Sequence, residues 1–272
     1  MSGYESVRSK DDEKFNLDLE GGRGERLYPG ISLGENQLRW GFIRKVYGIL
    51  TAQIVLTTLV SSVTVLYSPI NDLLKGNSGL LLFLSLLPFI RGFRVLVDNP
   101  LNLWYPNGIS SHLVLWPLHV YHQKHPVNLI VLGLFTVSIS LPVAVTCANT
   151  EGRIVLEALI LTSAVVCSLT GYTFWASKKG KDFSFLGPIL FTSLIILILT
   201  SFMQMFFPLG STTVAVYGGI SALVFCGYIV YDTDNLIKRF TYDEYILASV
   251  ALYLDILNLF ISILRVLRSA DG

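Results

Sequence analysis

An aspartate lies in the middle of the last hydrophobic stretch of the chain, within LYLDILNLF. Mostly apolar residues flank Asp255 for about ten positions on each side, which is long enough to span a bilayer. A carboxylate at that depth costs at least about 2.5 kcal/mol unless it faces protein or water, and by default it marks a functional site. At helical spacing its stripe is small and polar, with Ala248, Ala251, Asn258, Ser262 and Arg265. The pattern therefore predicts that Asp255 faces the interior of a helical bundle.

Two further aspartates end the preceding hydrophobic stretch, in GYIVYDTDNLIKR. Asp232 and Asp234 point about 200° apart on a helix, so only one of them can share a site with Asp255. Asp232 lies on the same face as Gly218 and Ser221, where small residues allow close helix contact, and we predict that it is the partner. Asp234 lies below a more apolar face and is expected to reach the cytoplasmic interface.

Two carboxyl groups that meet in a low-dielectric site cannot both ionise cheaply, so a shared proton would bridge them. Asp232 and Asp255 would then form a pH-dependent latch between two helices. When deprotonated, the same pair would offer the oxygen ligands that calcium accepts, so transient calcium binding is expected there. The alternative is a purely adhesive role between helices, worth about 0.6 kcal/mol on average. We favour function, since asparagine would hold the helices at lower cost.

Other polar residues within apolar stretches carry weaker signals. Asn258 is suited to hold helices together. Asn258 and Asp234 are both candidates for an ion path or for a structural polar group. Glu157 lies about one turn inside its apolar stretch. It could line the outer end of a cation path, or it could extend its carboxylate to the membrane surface, and both interpretations stay open.

Three histidines in HVYHQKH, at 119, 122 and 125, have a spacing that can bring metal ligands together on a helix. Pro117 and Pro126 interrupt that helix, and no acid or cysteine joins the group. We interpret the histidines as a polar cap at a membrane boundary. Neither a fixed metal site nor a cofactor is predicted.

The composition indicates a membrane protein. Hydrophobic residues make up 52% of the 272 positions and charged residues 14%, with a mean hydropathy of +0.59. Soluble domains carry about a quarter charged residues. The net charge of +1 gives no indication of nucleic-acid binding. Hydrolase, metalloprotease, P-loop and dinucleotide motifs are missing from the sequence, so no enzymatic activity is predicted.

The apolar stretches predict an all-α, polytopic membrane protein with a bundle of seven transmembrane helices. Candidate spans lie at 46–67, 127–148, 154–176, 186–207, 213–231 and 245–267. Two further stretches, at 79–90 and 113–121, are each too short to span. We predict that residues 91–114 are an insertion that splits the second helix; a re-entrant segment is the alternative.

Residues 1–35 differ from the rest of the chain. They are charged and lack apolar periodicity, which predicts a disordered cytoplasmic tail before a transmembrane domain at 36–272. The tail has no signal-peptide pattern, so the first span is expected to act as the insertion signal. Lysine and arginine collect at one side of the spans, which predicts a cytoplasmic N terminus. Arg265 and Arg268 at the end of the last span run against that rule, so the side of the C terminus stays open.

Several motifs resemble the Bax-inhibitor-motif membrane family. They are LRWGFIRKVYGILTAQIVLTT at the first span, GYIVYDTDNLIKR and LYLDILNLF. LYPG, HVYHQKHPVN and DFSFLGPILF resemble its plant LIFEGUARD branch in particular. The resemblance implies a seven-helix bundle in which the other helices surround a central one, a pH-sensitive calcium leak, and suppression of stress-induced cell death. The family's paired aspartates fall on Asp232 and Asp255, and residues 91–114 stand where the family keeps an unbroken second helix.

The leading hypothesis is a calcium-leak protein of the endoplasmic reticulum or another endomembrane, with the plasma membrane as an alternative. Its expected partners are membrane lipids, calcium as the permeant ion, and membrane proteins of cell-death signalling, with no nucleic acid. The second hypothesis is an interaction protein that restrains cell death without conduction, with the tail at 1–35 as its binding surface. The third is an intramembrane aspartyl hydrolase.

Overall fold

The computed structural model describes residues 26–67, 69, 127–207 and 210–271. Within these ranges it contains long α-helices and no strand. The helices are α1 (Leu33–Leu66), α2 (Val127–Ala148), α3 (Gly152–Lys178), α4 (Leu186–Phe206), α5 (Ser211–Lys238) and α6 (Tyr245–Asp271). All 6 are long and apolar enough to cross a membrane. The predicted all-helical class is confirmed for the described residues.

The remaining parts of the predicted bundle lie outside the described residues. These are the two short apolar stretches at 79–90 and 113–121, the predicted insertion at 91–114, and the histidines at 119, 122 and 125. The count of seven helices therefore stays a prediction.

The packed domain begins earlier than residue 36. α1 starts at Leu33, where the hydroxyl of Ser32 accepts a hydrogen bond from the backbone N–H of Glu35 at 3.3 Å. Leu27 and Ile31 are buried. Residues 26–35, assigned from the sequence to the tail, thus belong to the packed domain, and the rest of the predicted tail, 1–25, lies outside the described residues. The sequence pattern did not indicate this start, because the first turns of α1 include charged residues and its apolar part begins only after them.

α6 is the central helix of the described bundle. In its most apolar window 61% of the residues are buried, against 11% to 33% in the other candidate spans. α5 packs along α6, and α1 and α3 also pack against it. Tyr253, Leu259 and Leu264 of α6 are almost completely buried. This position agrees with the central helix that the family resemblance implies.

α1 and α2 run parallel, joined by buried polar side chains. Gln53 donates a hydrogen bond to the hydroxyl of Thr136 at 3.3 Å, and one turn further Ser140 donates to the hydroxyl of Thr57 at 3.1 Å. The Thr57 hydroxyl also lies 2.7 Å from the phenol oxygen of Tyr253 in α6. A seven-helix bundle would need this parallel arrangement of its first and third members.

One end of the bundle, here called the basic end, is where α1, α2 and α6 begin and where α3 and α5 end. Arg39 of α1 donates a hydrogen bond to the carbonyl oxygen of Phe240, in the α5–α6 loop, at 2.6 Å. Its guanidinium carbon lies 4.8 Å from the ring centre of Tyr242. Lys45 places its Nζ 3.2 Å from the ring centre of Tyr245. These contacts fix the first helix to the loop that joins α5 and α6 and to the first residue of α6.

α5 and α6 approach closely at Gly218. A Cβ atom there would lie 2.9 Å from Cγ2 of Val266 and 3.2 Å from the carbonyl oxygen of Ser262. Nearby, the hydroxyls of Ser221 and Ser262 lie 2.8 Å apart. The predicted use of small residues for close contact on this face is confirmed. At the neighbouring Gly219 a Cβ would meet nothing within 4 Å.

Gly218→Ala is expected to lower the free energy of unfolding by about 1–3 kcal/mol, because the added methyl group overpacks the contact between α5 and α6. Gly219→Ala is the matched control, since it makes the same change in backbone freedom without a clash. Thermal unfolding of both variants in detergent micelles checks this expectation. Equal unfolding midpoints for the two variants would contradict the close approach.

Candidate functional site

The structure brings Asp232 and Asp255 together. Asp255 lies in the middle of the central helix α6 and is 6% exposed, and Asp232 lies in the last two turns of α5, half-buried. Because α5 and α6 pack antiparallel, the two carboxyl groups come within hydrogen-bonding range of each other. The geometry is that of two acids facing one another across a helix contact.

The surroundings supply few donors to this pair. Asn235, one turn along α5, donates to Oδ1 of Asp232 at 3.4 Å. Oδ2 of Asp255 is buried and has no hydrogen-bond partner among the described residues. A buried carboxylate oxygen without a donor is costly. A proton held between the two carboxyl groups would supply that donor, and it would remove one of two like charges from an apolar site.

Two more residues belong to this site, although the sequence pattern alone did not mark them. Asn235 follows Asp232 by three positions, and Tyr228 precedes it by four, close enough to interact electrostatically with both aspartates. Spacings of three and four place all of them on one face of α5. That spacing is the signal that could have identified them.

Asp234 faces the other way and forms a separate cluster at the basic end. It is 1% exposed. Its Oδ1 accepts a hydrogen bond from the Ser177 hydroxyl at 3.1 Å and pairs with Nζ of Lys238 at 2.5 Å. Its Oδ2 accepts the backbone N–H of Phe183 at 3.3 Å. Asp234 therefore ties α5 to the end of α3 and to the loop that precedes α4.

Residues 179–185, the loop between α3 and α4, are held to α5 by a second acid. Asp182 pairs with Arg239 at 2.9 Å, on the exposed side of the loop. The hydroxyl and the backbone N–H of Ser184 both donate to Asp182, and these hydrogen bonds hold the pKa of its carboxyl below the ordinary value. Lys238 also donates to the carbonyl oxygen of Lys181. The loop is thus fixed to the end of α5 at several points.

Glu157 and Asn258 do not join the aspartate pair through any described hydrogen bond or ion pair. Glu157 pairs with Arg153, one turn earlier in α3, at 2.9 Å, and its side chain is 45% exposed. Glu157 lies near the start of α3, and therefore at the end of the bundle opposite the basic end. Asn258 is exposed, and its amide donates to the carbonyl oxygen of Leu254 in its own helix at 2.8 Å.

Within the described ranges, no three histidine, cysteine, aspartate or glutamate side chains lie close enough to hold a metal ion. Calcium takes six to eight oxygen ligands in a stable protein site. The two carboxyl groups of Asp232 and Asp255 alone would therefore give calcium a weak, readily exchanged position.

Comparison with known proteins decides the family. The family described as inhibitor of apoptosis-promoting Bax1 matches residues 39–272, which include both aspartates of the pair. The chain belongs to the Bax-inhibitor family. A BI1-like protein of Arabidopsis thaliana is 69% identical over 273 residues, covering 100% of this chain and 96% of that protein. This similarity, together with that to a LIFEGUARD protein given next, supports membership in the plant LIFEGUARD branch, which the sequence motifs had suggested.

Two further relatives show the range of the family. Protein LIFEGUARD 4 of Arabidopsis thaliana is 51% identical over 95% of this chain and 99% of its own length. The Golgi anti-apoptotic protein of vaccinia virus (strain Lister) is 37% identical over 86% of this chain and 87% of its own length.

Asp234→Ala is expected to destabilise the fold by about 3 kcal/mol, because it leaves Lys238 without its buried partner and frees the Ser177 hydroxyl. Asp182→Ala is the control at the same loop, and its exposed pair with Arg239 is worth about 1 kcal/mol or less. Thermal unfolding in detergent checks the difference. If Asp182→Ala costs as much as Asp234→Ala, the buried cluster is not what holds the loop.

Proposed function

We propose that this protein forms a pH-sensitive calcium leak in an endomembrane, and that the leak regulates cell death. The observation that carries the proposal is the pair of facing carboxyl groups between α5 and α6. Asp232 and Asp255 have no salt-bridge partner among the described residues, unlike Asp234 and Asp182. An unbalanced acid pair inside an apolar bundle is suited to hold or release a proton.

The latch works through electrostatics between the two helices. With one shared proton, Asp232 and Asp255 attract each other and hold α5 against α6. When that proton is lost, two like charges about 4 Å apart repel by about 4 kcal/mol at an effective dielectric constant of about 20. That repulsion favours either separation of the helices or entry of a cation between the carboxylates. In both cases rising pH opens a path for calcium.

The proposed orientation places the basic end on the cytoplasmic side, as the distribution of lysine and arginine favours. The names of the relatives support a role in cell death and an endomembrane location. One of them is described as an anti-apoptotic protein of the Golgi, and the family as an inhibitor of apoptosis-promoting Bax1. The endoplasmic reticulum or another endomembrane is the proposed compartment for this chain.

Asp255→Asn is expected to abolish the pH dependence of calcium flux. An asparagine amide can donate to the Asp232 carboxylate at every pH, so the two helices would stay held together and the flux would be low and flat. The measurement is calcium entry into dye-loaded liposomes that contain the purified protein, from about pH 6 to about pH 8. Glu157→Gln removes an acid at the opposite end of the bundle and is expected to keep the normal pH profile.

The same assay should include a form that lacks residues 91–114, because that predicted insertion would interrupt the second helix. If only the shortened form conducts, the insertion disables an otherwise intact leak. Folding of each form is verified first by its unfolding midpoint. A normal pH profile in Asp255→Asn would contradict the latch, and no flux from either folded form would contradict the leak.

The second candidate function is an interaction protein that restrains cell death without conduction. It is favoured by the names of the relatives, which describe anti-apoptotic action and not transport. The structure narrows the segment to be tested: a deletion through residue 35 would remove the buried Leu27 and Ile31 and the cap of α1. Deletion of residues 1–25 avoids this damage.

The chain without residues 1–25 is expected to protect cells from stress-induced death as well as the full chain does, because the aspartate pair remains in place. The measurement is survival of cells that express either form at equal level after endoplasmic-reticulum stress. Loss of protection, with calcium flux unchanged in liposomes, would favour the interaction role instead.

A further inference from the structure

Two arginines lie at the end of the bundle opposite the basic end, and the proposed latch does not use them. Arg265 and Arg268 are one turn apart on the last part of α6. In the proposed orientation this end is non-cytoplasmic, where the topology rule disfavours positive charge. Neither arginine forms an ion pair with any described residue. An anion bound beside Arg265 and Arg268 would balance both positive charges.

The two arginines line a cavity of about 460 Å³ between the ends of α2, α5 and α6. Four hydroxyl-bearing residues line it as well: Thr146, Thr150, Ser211 and Ser269. The cavity lies at the termini of membrane-spanning helices, which is the depth of lipid headgroups. Its wall is therefore a mixture of positive charge and hydroxyl groups at the membrane surface.

Several polar side chains that line the cavity take part in no described hydrogen bond. Arg265 stacks on Tyr217, with its guanidinium carbon 5.1 Å from the ring centre, and none of the described hydrogen bonds involves its N–H groups. The hydroxyls of Ser211 and Ser269 take part in none of the described hydrogen bonds. Those of Thr146 and Thr150 donate instead to carbonyl oxygens of their own helix region, at 2.8 Å each, so they can only accept.

The beginning of α5 adds further donors to the same cavity. Its N-cap residue is Gly210, which offers no side chain to the free N–H groups of the first turn. Ser211, the first residue of the helix, lines the cavity. The positive end of the α5 dipole and its first backbone N–H groups thus lie at the cavity that the two arginines line.

We propose that this cavity binds a phosphate group, that of an anionic phospholipid or free phosphate. Two guanidinium groups one turn apart provide forked donors that match phosphate oxygens. Val214, Ile261 and Leu264 form the apolar part of the wall, which fits the glycerol and first acyl carbons of a lipid. Bound phosphate would neutralise Arg265 and Arg268 and would join the ends of α5 and α6 on the side away from the latch.

The test measures binding of phosphatidic acid to the full chain in detergent, by native mass spectrometry, with phosphatidylcholine as the zwitterionic control. A variant with Arg265→Gln and Arg268→Gln is expected to lose at least about tenfold in affinity, since each lost charged hydrogen bond contributes strongly. Arg153→Gln is the matched control, because it removes a positive charge from the same end of the bundle, outside the cavity. Its affinity is expected to stay unchanged.

A second variant keeps the proposal testable if the double arginine variant fails to fold. Ser211→Asp places a carboxylate in the cavity, and an acid in the first turn of a helix favours folding. It is expected to lose phosphatidic acid binding with an unchanged or higher unfolding midpoint. Unchanged binding in folded variants of the cavity, or an equal loss in Arg153→Gln, would overturn the proposal.

Inorganic phosphate distinguishes the two sources of the ligand. If it displaces phosphatidic acid from the wild-type chain at millimolar concentration, the site recognises the phosphate group itself. If it does not, the apolar wall contributes and the ligand is a lipid.

Discussion

The close antiparallel contact between α5 and α6 is the constraint on which the candidate site depends. Gly218 lets the two backbones approach. Nearby on the same face, the hydroxyls of Ser221 and Ser262 form a hydrogen bond with each other. Further along the same contact lie Asp232 and Asp255. If larger residues separated the helices, the two carboxyl groups would lose hydrogen-bonding range, and no shared proton could bridge them. The small residues and the acids are thus parts of one interface.

Charge balance distinguishes the acids of α5. Asp234 is buried more deeply than Asp232, but Lys238, Ser177 and a backbone N–H satisfy it, so its negative charge is compensated in place. Among the described residues, Asp232 faces Asp255, the amide of Asn235 and the nearby phenol of Tyr228, and none of these compensates its charge. A compensated carboxylate anchors a structure, whereas an uncompensated pair responds to protons or cations. The end of α5 therefore carries a compensated acid on one face, which fixes the α3–α4 loop, and an uncompensated acid on the other.

Helical spacing showed that only one of Asp232 and Asp234 can neighbour Asp255, and the small residues Gly218 and Ser221 on its face selected Asp232. It could also have suggested the pair of Asp234 with Lys238, which are four positions apart. Spacing could not reveal that Asp234 accepts the N–H of Phe183, since that contact joins positions 51 residues apart. The sequence pattern did not indicate the early start of α1, because its first turns are mostly polar and exposed, and only Asn36 and Arg39 among them are buried by tertiary contacts.

The two ends of the bundle use their positive charges differently. At the basic end, Arg39 and Lys238 donate to carbonyl oxygens or carboxylates of the protein itself. At the opposite end, Arg265 and Arg268 line a cavity in which no described acid faces them. The topology rule counts lysine and arginine equally at both ends of the bundle. Of these four residues, however, only Arg265 and Arg268 are open to an outside anion. A charge count therefore gives only a prediction of orientation, whereas the partner of each charge identifies the arginines that are open to an anionic ligand.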